Sequence, residues 1–151
     1  MTPQTQTATR TRAQAIRDKV EIRLAVNEAG PAIAAVLKAN GIVLEGADWS
    51  RVFPDWLIAT VDDDVVGCCQ VVVSKPVGYV EFLFVMPDTP FKIRAIAIRK
   101  LMIQSMNTLY HGGCNYVGGI VAQKNNKFAD VIGKINFVKT FSADVYVKRL
   151  K

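Results

Sequence analysis

The chain has one histidine, three cysteines and no long apolar run, and each shortage removes a class of function. A Ser–His or Cys–His nucleophile would have to be built on His111 alone. That residue falls in "YHGG", where a helix end is expected, and the negative end of a helix dipole favours a histidine there for structural reasons. Cys68, Cys69 and Cys114 are odd in number and lack a C-x-x-C spacing. Neither a disulfide framework nor a metal site is therefore expected, and the three read as buried thiols. Apolar stretches such as residues 65–73 are broken by Gly67 and Gln70 and fall short of the ~18 to 20 residues that span a bilayer, so no membrane segment is expected. The opening "MTPQTQTATRTRAQ" has no apolar core of the kind a secretory signal needs, which points to a cytoplasmic location. Glycine is missing from the whole interval between Gly78 and Gly112.

What is present describes one globular core. Half of the 151 residues are hydrophobic and 21% are charged, enough apolar material to bury most of the surface of a chain this size. The net charge of +6 is unevenly spread. Residues 1–42 carry 6 basic and 3 acidic groups, residues 43–88 carry 2 and 8, and residues 89–151 carry 11 and 2. The basic last third could attract phosphates of a nucleotide cofactor or of nucleic acid, although no nucleic-acid motif accompanies it and a solvated basic face explains it as well.

The leading residues are rich in Thr and Gln, with Arg10 and Arg12 among them, and cannot build a core. They define a polar, basic arm over residues 1–19, suited to protein partners in an assembly, ahead of a domain over residues 20–151. "VEIRLAV" (20–26) alternates as a half-buried strand does. Pro31, the stripe Ile33, Val36 and Leu37, and the stop Asn40-Gly41 mark a helix. "GADWSRVF" is expected to hold a helical turn. "WLIATV" (56–61), the "DDD" turn and "VVGCCQVVVS" (65–74) form a hairpin, and "KPVG" leads to a third strand, "YVEFLFVM" (79–86). After Pro87 the period lengthens to about 3.6, with Ile93, Ile96, Ala97, Leu101, Ile103 and Met106 on the longest helix. A strand at 115–123, a helix over "NNKFADVIGK" and a final strand pair, "FVKTF" and "ADVYVKRL", complete an α+β domain: a mixed, mostly antiparallel sheet flanked by helices.

This order, together with "NNKFADVIGKINF" at 125–137, resembles the GNAT superfamily of acetyl-CoA-dependent N-acetyltransferases over roughly residues 20–150. In that family the strand before the longest helix ends in a hydrophobic–Pro step, here "VMP". The following loop and helix N-terminus cradle the pyrophosphate of the cofactor, and a later helix runs from an Asn to the Phe of a Gly-Phe pair twelve residues on. Asn125 and Phe137 have that separation, with Asn136 in place of Gly, a residue that tolerates the left-handed conformation of such a cap. The resemblance implies acetyl-CoA held by Phe84, Val85, Lys92, Arg94, Ala95 and Asn125. It also implies a general base, for which Glu81 is the candidate because it shares a strand face with Tyr79, Leu83 and Val85 by the period-two rule.

Two departures point the other way. The family's Arg/Gln-x-x-Gly-x-Gly/Ala loop lets main-chain N–H groups approach phosphate, whereas here the nearest match is "KIRAIA" (92–97). If that loop needs left-handed residues, each β-carbon would cost ~1 to 2 kcal/mol. The Tyr that commonly protonates the departing thiolate is replaced by Ile132. The motif order from "IRKLM" onward is also similar to acetyltransferase-like proteins carried as virion components by short-tailed bacteriophages. The expectation is thus an acetyltransferase-like protein that has lost catalysis, binds no cofactor and serves as an interaction component of an assembly such as a phage virion. The alternative is an active acetyl-CoA-dependent N-acetyltransferase acting on an amine.

Overall fold

The computed structural model describes residues 14–50, 55–119 and Lys134. The chain divides into two units, Met1–Gly119 and Ile120–Lys151, and every described strand and helix belongs to the first. Residues 1–13 of the arm, the helix and strand pair expected after residue 123, and Asn125, Ile132 and Phe137 lie outside the described residues.

Residues 14–18 are helical, with the Gln14 amide donating to Asp18 at 2.8 Å. Lys100 fastens this turn from another part of the chain, its Nζ donating to the carbonyls of Arg17 at 2.8 Å and Val20 at 2.6 Å. Strand β1 (Val20–Leu24) follows, then a 3-10 turn (Asn27–Ala29) and helix α1 (Gly30–Ala39), whose second residue is the expected Pro31. Asn40 and the left-handed Gly41 (φ 80°) end α1 as the Asn-Gly pair predicts. In the described part of "GADWSRVF" there is no helical turn. The Asp48 carboxylate instead accepts from the main-chain N–H of Ser50 at 3.0 Å and from its hydroxyl at 2.5 Å, a local closure that competes with helix and lowers the Asp48 pKa.

Strands β2 (Trp56–Val61) and β3 (Asp64–Val72) are joined by Asp62 and Asp63, both with positive φ, which fits a two-residue primed turn. Strand β4 (Val77–Val85), helix α2 (Phe91–His111) and the short β5 (Tyr116–Gly118) complete the unit. The sheet order is β1-β2-β3-β4-β5; the first four strands are antiparallel neighbours and β5 runs parallel to β4. Among the described residues no helix is long and apolar enough to cross a membrane.

Among the described residues each sheet face carries one helix. On the first, Ile33, Val36 and Leu37 of α1 meet Trp56, Ile58 and Cys68, with Phe82 and Phe84 packed at the margin. On the second, Ala97, Leu101, Met102, Ser105 and Leu109 are the buried residues along α2. Adjacent Cys68 and Cys69 point to opposite faces, and the Cys69 sulfur lies 3.3 Å from the Ser105 hydroxyl of α2. All three thiols are free and buried, as the sequence predicts. Close approach of α2 also explains Gly78, because a β-carbon there would collide with the terminal methyls of the buried Leu109.

Gly78→Ala should lower unfolding stability by ~1 to 3 kcal/mol, measured by urea denaturation, because the Leu109 side chain has no room to retreat. A second expectation concerns pH. Burial raises the thiol of Cys68 from 9.0 to about 12 and that of Cys69 to about 11. The unfolded chain therefore releases these protons first, so stability is retained below pH 9 and declines as pH rises toward 11. The urea midpoint should fall between pH 8 and pH 10, and fall less in Cys68→Ala.

Candidate functional site

The carboxyl end of β4 is where the main chain departs most from regular geometry. Cys68 pairs with Phe84 and Gln70 with Glu81, so Phe82 and Leu83 together face the single residue Cys69. Phe82 takes a φ of 50°, in the left-handed region that a bulky residue rarely enters. Its ring stacks on Trp56, with centroids 5.9 Å apart at 21°, and Trp49 meets Trp56 edge-on at 6.0 Å.

This bulge corrects the expected alternation. Glu81 shares a face with its partner Gln70 and with Trp56, the α1 side, whereas Val85 lies on the α2 side, where its methyl and Leu101 both approach the place a β-carbon on Gly67 would occupy. Period two holds from Tyr79 to Glu81 and fails beyond, because the extra residue reverses which face the following side chains meet. Glu81 is half-buried. Beside it the Gln70 amide donates to Asp55 at 2.7 Å, while the other Asp55 carboxylate oxygen is buried with no hydrogen-bond partner.

Two clamps hold the end of β4. The side-chain amide of Asn40 donates both to Val36, at 2.9 Å, and to the carbonyl of Val85, at 3.1 Å, joining the end of α1 to the end of the strand. The Met86 N–H donates to Val66 at 2.8 Å. Phe84 and Val85 are consequently spent on packing, one on each face. Among the described residues, β5 pairs with β4 from Val77 opposite Tyr116 to Tyr79 opposite Gly118.

A five-residue turn then leads to α2, closed by the Thr89 N–H donating to Met86 at 3.1 Å. Pro90 is the N-cap and no side chain caps the helix. The Arg94 N–H is the first to find a helical partner, the Pro90 carbonyl at 2.9 Å, so the N–H groups of Phe91, Lys92 and Ile93 have none within the helix. The Arg94 guanidinium donates to the Pro87 carbonyl at 3.3 Å and lies 6.0 Å from the centroid of the 75%-exposed Phe91 ring. Lys92 and Ala95 are exposed. "KIRAIA" is therefore the first two turns of α2 and not a loop. None of its residues has positive φ, so the left-handed strain expected of its β-carbons does not arise, and Ala97 faces the sheet, fully buried.

Glu81, Phe84, Val85, Lys92, Arg94 and Ala95 thus follow one another along the chain from the bulge into the first turns of α2. His111 is exposed in the last turn of α2, about 30 Å along the axis from Phe91, and stacks edge-on with Tyr110. Among the described residues no three His, Cys, Asp or Glu side chains converge to hold a metal. Sequence reasoning passed over Phe82, Asp55 and the latch from Asn40. Asn40 was visible as a helix stop, but nothing local signals a bond reaching 45 residues away.

No family model matches the chain, and neither does any curated protein. Solved structures do. N-acetylglutamate synthase from Neisseria gonorrhoeae, complexed with coenzyme A and L-arginine, superposes with a TM-score of 0.60 at 18% identity, covering 74% of this chain and 26% of that one. The aminoglycoside acetyltransferase meta-AAC0020 from an uncultured soil metagenomic sample, in complex with trehalose, gives 0.68 at 13% identity over 90% and 99%. The aminoglycoside N-acetyltransferase AAC(6')-Iy in complex with CoA gives 0.63 at 19% over 87% and 95%. The mostly antiparallel five-stranded sheet, the parallel β4–β5 pair and these superpositions identify the architecture: the chain has the GNAT acyltransferase fold.

Proposed function

We propose that the chain binds an acyl-CoA, with acetyl-CoA the first choice, at the end of β4 and transfers the acyl group to an amine. The observation that carries this reading is the uncapped start of α2, where three main-chain N–H groups without helical partners follow directly on the end of β4. Such a helix terminus favours phosphate through its dipole and its free donors. Lys92 and Arg94, in the same first turn, add two cations against the single exposed carboxylate of Asp88 in the preceding loop. The donor set therefore fits a pyrophosphate, and the likeness to folds solved with coenzyme A agrees.

When bound, the cofactor supplies an acyl group activated as a thioester. The chain's own part is to position the acceptor and take its proton. Glu81 sits just before the bulge on the face that carries Trp49, Trp56 and Phe82, and a carboxylate there can receive a proton from an attacking amine. Ile132 offers no proton to the leaving thiolate, so turnover should be slow.

The second reading is a cofactor-free interaction protein within a larger assembly such as a phage virion. It is favoured by the lack of glycine from Gly78 to Gly112, by Asp88 in the loop and by Ile132 in place of an acid. The arm bearing Arg10 and Arg12 would then bind a protein partner, and the basic last third would lie near nucleic acid.

Calorimetric titration with acetyl-CoA separates the two. Micromolar binding is expected, weakened at least ~100-fold by Lys92→Ala combined with Arg94→Ala, given ~1.5 to 3 kcal/mol per charge-assisted hydrogen bond. Glu81→Gln should keep that binding and lose transfer by ~100-fold, the usual size of a general-base contribution. No heat at millimolar acetyl-CoA rejects the first reading. For the second, removal of residues 1–13 should abolish co-sedimentation of the chain with its purified assembly, and unchanged incorporation rules out the arm as the tether.

A further inference from the structure

Among the described residues strand β1 ends the sheet, and only one of its edges is used. The Ala25 N–H donates to Trp56 across the β1–β2 ladder, so by alternation Glu21 and Arg23 also bond inward. The main-chain groups of Val20, Ile22 and Leu24 face outward, and the bond from Lys100 to the Val20 carbonyl confirms that direction. Among the described residues no strand covers this edge. Beside it lies an open trough of about 490 Å³ between β1 and α2, its lining including Val20, Ile22, Ile103 and Gln104. Leu24 and Ile103 are 57% and 45% exposed.

We propose that β1 pairs antiparallel with β1 of a second copy of this chain, about a two-fold axis through Ile22. The sequence of the strand chooses the register. With Ile22 opposite its counterpart, each Glu21 faces an Arg23 and each Arg23 a Glu21, so both cross-strand pairs join opposite charges. These are the non-hydrogen-bonded positions, where side chains of facing strands come closest. A register centred on Glu21 or on Arg23 would set like charges directly opposite each other and is disfavoured.

Both charged side chains are available. Glu21 and Arg23 are half exposed and now bond one another at 2.7 Å within the chain, with Asp63 a second partner of Arg23 at 3.0 Å. The Ile22-centred register also pairs Leu24 of each copy with Val20 of the other, on the face that holds the trough. The exposed Leu24 side chain would thus enter the trough beside Ile22 and Ile103, whose lining also includes Asp18 and Lys100. The Val20 carbonyl, already bonded to Lys100, keeps a second acceptor site for the incoming Leu24 N–H. An edge strand normally avoids such pairing through charges that repel a copy of itself, and this one carries charges that attract it.

Sedimentation equilibrium of the full chain from about 1 to 500 µM tests the contact. The wild type should pass from one to two chain masses as concentration rises. Glu21→Arg and Arg23→Glu, each placing like charges across both pairs, should weaken association at least about tenfold, with circular dichroism melts unchanged because both side chains are exposed. An equal mixture of the two variants opposes unlike charges again and should form a heterodimer that neither forms alone. A wild type that stays monomeric at about 500 µM, single variants that associate as well as the wild type, or a mixture that remains monomeric would each overturn the proposal.

Discussion

Opposite Cys69 the fourth strand spends two residues where its neighbour spends one, and Phe82 accepts a left-handed φ of 50° to make that possible. A non-glycine residue in this region costs ~1 to 2 kcal/mol. Stacking against Trp56 and the margin of the α1 core offsets it. Because of the extra residue, Glu81 remains on the α1 side while Val85 turns to α2, and the strand reaches its end in a position where Asn40 can hold the Val85 carbonyl. The start of α2 is placed by that same end, through a turn of five residues. A regular β4 would present different side chains on each face and deliver the helix terminus elsewhere.

The elements that sequence reasoning recovered share one property: they bury a periodic face. Val20 to Leu24 alternate against β2, Ile33, Val36 and Leu37 recur on α1, and Ala97, Leu101 and Leu109 recur on α2, so the apolar pattern and the packing carry the same information. The paired aspartates Asp62 and Asp63 likewise declared their turn. What stayed hidden depended on relations between distant residues. A bulge is a property of two strands in register, and nothing in "YVEFLFV" alone marks Phe82 as its seat. "KIRAIA" is the nearest match to the family's phosphate loop by its small residues, whereas the helical spacing it shares with the residues after it puts it inside α2.

The candidate site was legible to the extent that it consists of side chains. Glu81, Lys92 and Arg94 can be named from type and position, but the N–H groups at the start of α2 belong to the main chain, and main-chain geometry leaves little trace in residue identity. The want of glycine between Gly78 and Gly112 counts strongly against phosphate binding only where "KIRAIA" must form a left-handed loop. A helix N-terminus presents its N–H groups whatever the side chains are, so that want bears less on phosphate binding once the segment is helical. Fold alone does not decide chemistry, and the proposal of acyl transfer rests on Glu81 and the first turn of α2 rather than on the architecture.

Lys100 bonds the carbonyls of Arg17 and Val20 from the middle of the longest helix. The leading helical turn and the first strand are thereby moored to a rod of 21 residues instead of to the sheet margin alone. Traction on the amino-terminal end would be carried into that rod and spread over the whole α2 layer, so β1 would resist being peeled away.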